Sequence, residues 1–515
     1  MYCTEEILKQ RNVIIMTYLE QLIPIIKENY TKAALVDYSP SNSVQCNAYT
    51  FGQMYQKICA LKTLLSRMGV VAGDHVALCG SNSAHWMISY LSVASIRAVN
   101  VCLMHSQTPE MLASQIDFSD AKVLFVDSAI WSCLQTHQLD KVHIVVSMDD
   151  WSILRGATGQ CLLVEDASCT RENLSLDAIP DVDVNAPAQL CFTSSTSGNP
   201  KCVVASWKNI TANMLHVADY YTATDNRVML SVFPLGHTLA IMGEFLVPLY
   251  QACTIYILRE PAVPDTLLDA YIEIRPFEIV LVPMVAERFL SDKYIERFRQ
   301  VLEFVEIGVV CGAKLKKELE DRLTSIGFPL TIPYGMTECS PIVSISKPSN
   351  YESYSSGQIC SSMQVAFGDN DEILVKGDHL MLGYYKNDEE TQDKIDGDGW
   401  FHTGDCGYLD STGNLYINGR INKDILVLPS GENVSPVNIE SVIDSMEGIV
   451  ESIVVLRDDK LVALVYTNVS IENKENLMVK INRLLPMNSQ LYDLEFLEEP
   501  IKRTEKQNIK RYLYK

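Results

Sequence analysis

Between Phe192 and Lys201 the chain places five hydroxyls, on Thr193, Ser194, Ser195, Thr196 and Ser197, and then Gly198, Asn199 and Pro200 ahead of the lysine. Small side chains let backbone N–H groups and hydroxyls approach phosphate oxygens, and a lysine adds positive charge. The Walker pattern G-x-x-x-x-G-K-[ST] is absent, and a solvated Ser/Thr loop has the same composition. Taken alone, the run supports both readings.

Four further motifs follow in order. They are Tyr334-Gly335-Met336-Thr337-Glu338, then Gly399-Trp400-Phe401-His402-Thr403-Gly404-Asp405, then Gly419-Arg420 with Asn422-Lys423-Asp424, then Ser430-Gly431-Glu432-Asn433-Val434. Together with the hydroxyl-rich run they resemble the adenylate-forming superfamily of acyl-CoA synthetases, peptide-synthetase adenylation domains and beetle luciferases, across nearly the whole chain. The stretch from Glu372 through Gly383-Tyr384-Tyr385-Lys386-Asn387, with Val427–Val434, is most similar to bacterial long-chain fatty acid–CoA ligases. Pro234-Leu235-Gly236-His237 resembles the segment beside the acyl carboxylate in those enzymes.

The resemblance implies a role for each matched residue. Thr193, Ser194, Ser195, Thr196, Ser197, Gly198 and Lys201 correspond to a loop covering the β- and γ-phosphates of ATP. Gly312-Ala313-Lys314 and Tyr334-Gly335-Met336 correspond to the adenine shelf. Thr337 would bond the α-phosphate and Glu338 would hold Mg²⁺, a hard cation that prefers oxygen ligands. Asp405 and Arg420 correspond to the pair on the ribose hydroxyls. Thr193, Lys201, His237, Glu338 and Lys506 are the implied catalytic residues. The implied reaction joins a medium- or long-chain fatty acid to AMP and then to coenzyme A. The small C-terminal domain would rotate between the two steps about Asn422, or about Lys423 or Asp424.

Some positions depart from the family pattern. Ser195 and Cys202 stand where glycines are usual, and Trp207 where a histidine is common. Near the C-terminus, Lys502-Arg503-Thr504 resembles the start of the segment carrying the catalytic lysine, but Asn508 occupies the lysine's place, between Lys506 and Lys510. Asparagine supplies no charge to bridge carboxylate and α-phosphate, so Lys506 reaching in, a slow adenylation, or a basic solvated tail are the readings of this segment. Two further functions therefore stand beside acyl-CoA ligation: transfer of the acyl group to a separate carrier protein, and binding of nucleotide or acyl-adenylate without turnover.

The elements that must position these residues are legible as patterns. Short apolar runs at His75–Cys79, Lys122–Val126, Val142–Val146, Phe277–Val282 and Val305–Val310 alternate with helical stretches, which predicts buried, mostly parallel sheets and an α/β fold. A helix starts at Ala84, capped by Asn82 or Ser83, with Trp86, Tyr90, Leu91 and Ala94 on one face. From about residue 350 the pattern becomes a β-meander, including Glu372–Val375 and Leu415–Ile417. After Arg420 a small α+β unit follows, with a hairpin over Ser452–Tyr466 turning at Asp458-Asp459 and a helix over Ile471–Leu485. The expected organisation is a large domain over 1–419, with a β-rich subdomain from about 350 to 419, and a small mobile domain over 420–515.

The chain's 515 residues suit two or three such units, at roughly 100–200 residues per domain. With 47% apolar and 21% charged residues it can bury a large core, which excludes global disorder. A balance of 42 basic against 64 acidic side chains, −22 net, repels nucleic acid and anionic lipid. Fifteen scattered cysteines without C-x-x-C spacing read as free thiols in a reducing, cytoplasmic setting. The acidic start Met1–Glu6 does not suit a signal peptide. The most apolar helix candidate, Trp86–Leu103, is interrupted by Arg97, so membrane contact is expected to be peripheral at most.

Overall fold

The computed structural model describes residues 16–40, 47–156, 176, 179–193, 201–220, 227–312, 315–420, 426–430, 433–434, 436–467, 473–502 and 513–514. Among them the largest sheet has eight strands, in the spatial order Gly383–Tyr384, Lys201–Ser206, Pro187–Thr193, Val99–Cys102, His75–Cys79, Val123–Val126, Ile144–Ser147 and Ile153–Arg155. The five strands from Pro187–Thr193 to Ile144–Ser147 pair in parallel, and their near-continuous apolar runs are buried on both faces as such a sheet requires. The runs at Glu278–Leu281 and Ile307–Val310 instead form a separate parallel sheet with Leu330–Thr331. A further sheet joins Val228–Ser231, Thr254–Leu258 and Ala33–Tyr38 in parallel, with Ala48–Thr50 antiparallel at its edge.

The helix Ala84–Ser95 is capped by Ser83, whose Oγ accepts from Trp86 N at 3.1 Å. Beyond the face that carries Trp86, Tyr90, Leu91 and Ala94, the rest of the helix is covered too, and all twelve residues are buried. The apolar run from Trp86 to Leu103 is also two elements. Arg97 takes a positive φ of 59° and the chain re-enters the sheet at Val99–Cys102. Buried Arg97 donates to Glu20 Oε1 at 2.8 Å, Thr17 Oγ1 at 3.0 Å and Pro180 O at 2.8 Å, and its guanidinium lies 5.0 Å from the Trp207 ring centre. Trp207 is itself fully buried and stacked on Tyr18 at 5.5 Å, so this tryptophan anchors core packing. Among the described residues no helix is long and apolar enough to cross a membrane.

Tyr334–Gly335 pairs antiparallel with Ile342–Ile345, so the antiparallel run of the later chain begins ahead of the change of pattern near residue 350. The strands Met363–Phe367, Glu372–Gly377, Phe401–Leu409 and Leu415–Arg420 then form one antiparallel sheet. Gly383–Tyr384 leaves this region and pairs with Val203 and Val204 at the edge of the eight-stranded sheet. In the C-terminal region, Ile449–Arg457 and Lys460–Thr467 form a hairpin one to three residues longer at each end than the pattern predicts. Its turn residues Asp458 and Asp459 have φ of 47° and 61°, the geometry of a tight two-residue turn. Helices Pro436–Asp444 and Lys474–Leu484 pack on this sheet through Ile439, Ile443 and Ile481. The second helix starts at the Asn473 cap, after the predicted Ile471. The described cysteines are free thiols, most of them buried.

Candidate functional site

Thr193 ends one strand and Lys201 begins the next, and the two residues pair directly across an antiparallel ladder, with Thr193 Oγ1 3.5 Å from Lys201 O. The sheet therefore fixes both ends of the hydroxyl-rich run, while Ser194, Ser195, Thr196, Ser197 and Gly198 lie outside the described residues. The Lys201 ammonium forms an ion pair with Glu390, at the first turn of helix Asp388–Lys394, and stands 5.3 Å from the centre of the Tyr384 ring. The Tyr384 hydroxyl in turn donates to Glu338 Oε1 at 2.9 Å. Burial, and then the Glu338 charge, push the Tyr384 hydroxyl far above its ordinary pKa, so it stays a donor. Four side chains from three separate stretches thus form one chain of contacts.

Glu338 belongs to the short 3-10 turn Thr337–Cys339, which Ser340 closes with φ of 63°. Gly335 precedes this turn, and a Cβ there would lie 1.9 Å from Pro341 O, so the backbone folds over itself at a distance only glycine allows. Half-buried Glu338 is an acceptor-only carboxylate when ionised. No group of three or more His, Cys, Asp or Glu side chains suited to a metal occurs among the described residues. One carboxylate fits a hard cation that keeps waters and takes phosphate oxygens as its other ligands, which is the habit of Mg²⁺.

On the other side of the motif, the buried Tyr334 hydroxyl donates to Asp405 Oδ2 at 2.8 Å. Burial, then the Asp405 charge, raise the Tyr334 hydroxyl well above its ordinary value. Asp405 N bonds Thr403 Oγ1 at 3.0 Å, and Asp405 sits directly opposite Arg420 in the strand register. The predicted ribose pair is thereby placed on facing strands, beside the predicted adenine-side tyrosine. Gly312 has a positive φ of 88°, while Ala313 and Lys314 lie outside the described residues. So do Asn422, Lys423, Asp424, Lys506, Asn508 and Lys510.

His237 is exposed and starts a helix, its Nδ1 accepting from Leu239 N at 3.1 Å. The segment leading to it is clamped by Asn82, which accepts from Leu235 N at 2.9 Å and donates to Phe233 O at 2.7 Å. A Cβ on Gly236 would lie 2.4 Å from Leu103 O, so this loop also touches the end of a central strand. The helix then widens to π geometry over Ala240–Leu246, and its residues line two cavities. One is small and partly polar, with Gln189, Thr238, Thr337 and Ser340 in its wall. The other is mostly apolar, lined by Leu239, Met242, Val309, Pro341 and Ile342 among others, with Glu244 and Glu278 also in its wall.

Tyr384 and Glu390, which contact Glu338 and Lys201, and the helix face after His237 are candidates that the motifs do not single out. Gly383-Tyr384-Tyr385-Lys386-Asn387 carries only a family likeness in the sequence. Its place in the site comes from the pairing of Gly383–Tyr384 with Lys201–Ser206, which joins residues nearly 180 positions apart.

The family model for the AMP-binding enzyme matches residues 26–385. A long-chain-fatty-acid–CoA ligase of Homo sapiens is 25% identical over 490 residues, covering 81% of this chain and 71% of that one. 4-Coumarate–CoA ligase 3 of Oryza sativa subsp. japonica is 25% identical, covering 87% and 81%. A 3-[(3aS,4S,7aS)-7a-methyl-1,5-dioxo-octahydro-1H-inden-4-yl]propanoyl:CoA ligase of Rhodococcus jostii is 27% identical, covering 79% and 80%. Among solved structures, the amide bond synthetase McbA of Marinactinospora thermotolerans superposes with a TM-score of 0.81 at 20% identity, covering 97% of this chain and 99% of that one. The o-succinylbenzoate CoA synthetase of Bacillus subtilis gives 0.80 at 19% identity, covering 97% and 98%.

Proposed function

Because the chain belongs to the family of AMP-binding enzymes, we propose that it activates a medium- or long-chain carboxylic acid with ATP and passes the acyl group to coenzyme A. One observation carries this reading. A single segment, residues 333–342, supplies Tyr334, Thr337 and Glu338 to the polar cluster, and Pro333, Pro341 and Ile342 to the apolar cavity. An acid lying in that cavity would present its carboxylate where the nucleotide's α-phosphate is held.

In the first step a carboxylate oxygen attacks the α-phosphorus, the bond to the β-phosphate oxygen breaks, and pyrophosphate leaves. Thr337 donates to an α-phosphate oxygen, and the Tyr334–Asp405 pair with Arg420 orients adenosine. Lys201 exchanges its partner Glu390 for phosphate oxygens, which offsets the crowding of negative charge in the transition state. Glu338, held by Tyr384, would bind Mg²⁺, which supplies Lewis-acid neutralisation of the phosphates. His237, at the helix start between the clamped loop and the cavity, positions the carboxylate. In the second step the coenzyme A thiolate attacks the acyl carbonyl and AMP departs. Lys506 as the bridging cation and a rotation about Asn422, or about Lys423 or Asp424, join this reading on the family resemblance alone.

The relatives act on acids ranging from long-chain fatty acids to 4-coumarate and a dioxo ring acid. A panel of aliphatic, aromatic and ring-bearing acids, with pyrophosphate and AMP followed with and without coenzyme A, tests the proposal. Turnover of aryl acids or amino acids alone, with no aliphatic acid accepted, would replace the substrate class.

A further inference from the structure

Glu244 lies in the π-helical stretch, only 1% exposed, in a cavity wall otherwise made largely of side chains such as Val217, Leu239, Met242 and Val280. Its Oε2 accepts from Ser231 Oγ at 3.1 Å, Val232 N at 2.9 Å and Phe233 N at 2.9 Å, and so anchors the loop that leads to His237. Its Oε1 is equally buried and has no hydrogen-bond partner. The adjacent Gly243 lines the same cavity, and a Cβ added there would meet nothing within 4 Å.

A carboxyl so placed has one strongly occupied oxygen and one idle one. Burial pushes its pKa up to about 8, against the pull of the three hydrogen bonds to Oε2. Glu278 lines the same cavity, and Tyr271 and Cys311 are close enough to feel the Glu244 charge; among the described residues no cation contributes to holding it ionised. With Oε2 accepting from three donors, the proton of the neutral acid belongs on Oε1, which becomes a hydrogen-bond donor. Were the chain of the bound acid purely methylene, that donor would stay unpaired in a dry wall.

We propose that Glu244 Oε1 is a specificity-determining contact for a neutral oxygen, hydroxyl or keto, carried partway along the acyl chain of the substrate. This rests on the acid-activating function proposed above. A neutral oxygen satisfies the idle donor without bringing a new charge into the apolar wall. An ammonium group would need Glu244 to ionise, and so it is the competing chemistry.

Dodecanoic acid, positional series of its hydroxy and oxo derivatives, and 12-aminododecanoic acid distinguish these cases, with binding followed by calorimetry and adenylation by ATP–pyrophosphate exchange. The parent protein should favour one hydroxy or oxo isomer over dodecanoic acid by about tenfold or more in both Kd and kcat/KM. Glu244→Gln keeps a carbonyl for Val232 and Phe233 and an N–H donor in the place of Oε1, and should keep the preference. Glu244→Met should bring the two acids within about twofold. Should the Met variant not fold, the pH profile decides: the preference for the oxo acid should fade above about pH 8 in the parent and stay flat in Glu244→Gln. Equal treatment of all the acids, preference for the amino acid, a preference retained by Glu244→Met, or identical pH profiles would overturn the contact. Selective binding without acid-dependent exchange would instead sink the proposed function and leave the contact standing.

Discussion

The Tyr384 hydroxyl donates a 2.9 Å hydrogen bond to Glu338 Oε1 while its ring lies 5.3 Å from the Lys201 ammonium, so one side chain touches both the proposed metal-holding carboxylate and the proposed phosphate-binding cation. Removing only the hydroxyl tests its part in positioning Glu338. Tyr384→Phe should lower kcat for adenylation by about tenfold, in line with one hydrogen bond to a charged group, and move the KM for ATP less. Pyrophosphate exchange kinetics would check it. Unchanged kcat would mean that Glu338 needs no such support.

Glu338→Gln keeps the shape of the side chain and an acceptor for Tyr384 but removes the negative charge. Adenylation should fall by about 10²–10³-fold while folding is spared. Full activity in a folded variant would place the metal elsewhere.

Lys201 is held by Glu390 in this structure and must change partners to meet a phosphate. Lys201→Ala should raise the KM for ATP by roughly tenfold or more, whereas Glu390→Gln, which releases the lysine, should leave it equal or lower it. Parallel rises in both variants would show that the ion pair itself builds the site.

The separation between Lys201 and Glu390 marks the boundary of what could be read from sequence. Thr337, Glu338 and Asp405 lie in contiguous motifs, and the structure places the Thr337–Glu338 turn and the Tyr334–Asp405 pair in one site region. The parallel strands were legible because burial on both faces forces unbroken apolar runs. Tyr384 and Glu390 were not, because a two-residue strand has no periodicity and its partner lies nearly 180 residues away. Helix Ala84–Ser95 was legible in place but not in burial, since four apolar residues on one face do not reveal what covers the other. Glu244, in Ala-Ile-Met-Gly-Glu-Phe-Leu, belongs to no motif, and a lone carboxylate in an apolar run does not reveal which groups meet it in the fold.

Tyr334→Phe removes the donor to Asp405 Oδ2 at a buried position. The loss should cost about 1–3 kcal/mol of stability and weaken AMP binding several-fold. Urea unfolding and AMP titration measure the two effects separately. Lost AMP affinity with full stability would assign the pair to nucleotide binding alone.

Glu244 gives the protein a pH-dependent stability. Its folded pKa of about 8 lies above the ordinary value of 4.5, so between those values the folded state keeps a proton that the unfolded state has released. Stability from this group is therefore full below about pH 4.5 and is lost as pH rises through about 8, by on the order of a few kcal/mol. Denaturant midpoints from pH 5 to 9 should fall in the parent relative to Glu244→Gln. Parallel curves would mean that Glu244 is ionised throughout.

The most direct test of the central claim is to incubate the protein with ATP, Mg²⁺ and an acid panel that includes dodecanoic acid and its oxygenated derivatives, following pyrophosphate, AMP and thioester. Pyrophosphate release should require an aliphatic acid, and acyl-CoA should form with AMP in equal amount once coenzyme A is added. Pyrophosphate release indifferent to the acid, or an acyl-adenylate that forms but never yields a thioester with coenzyme A, would contradict that claim.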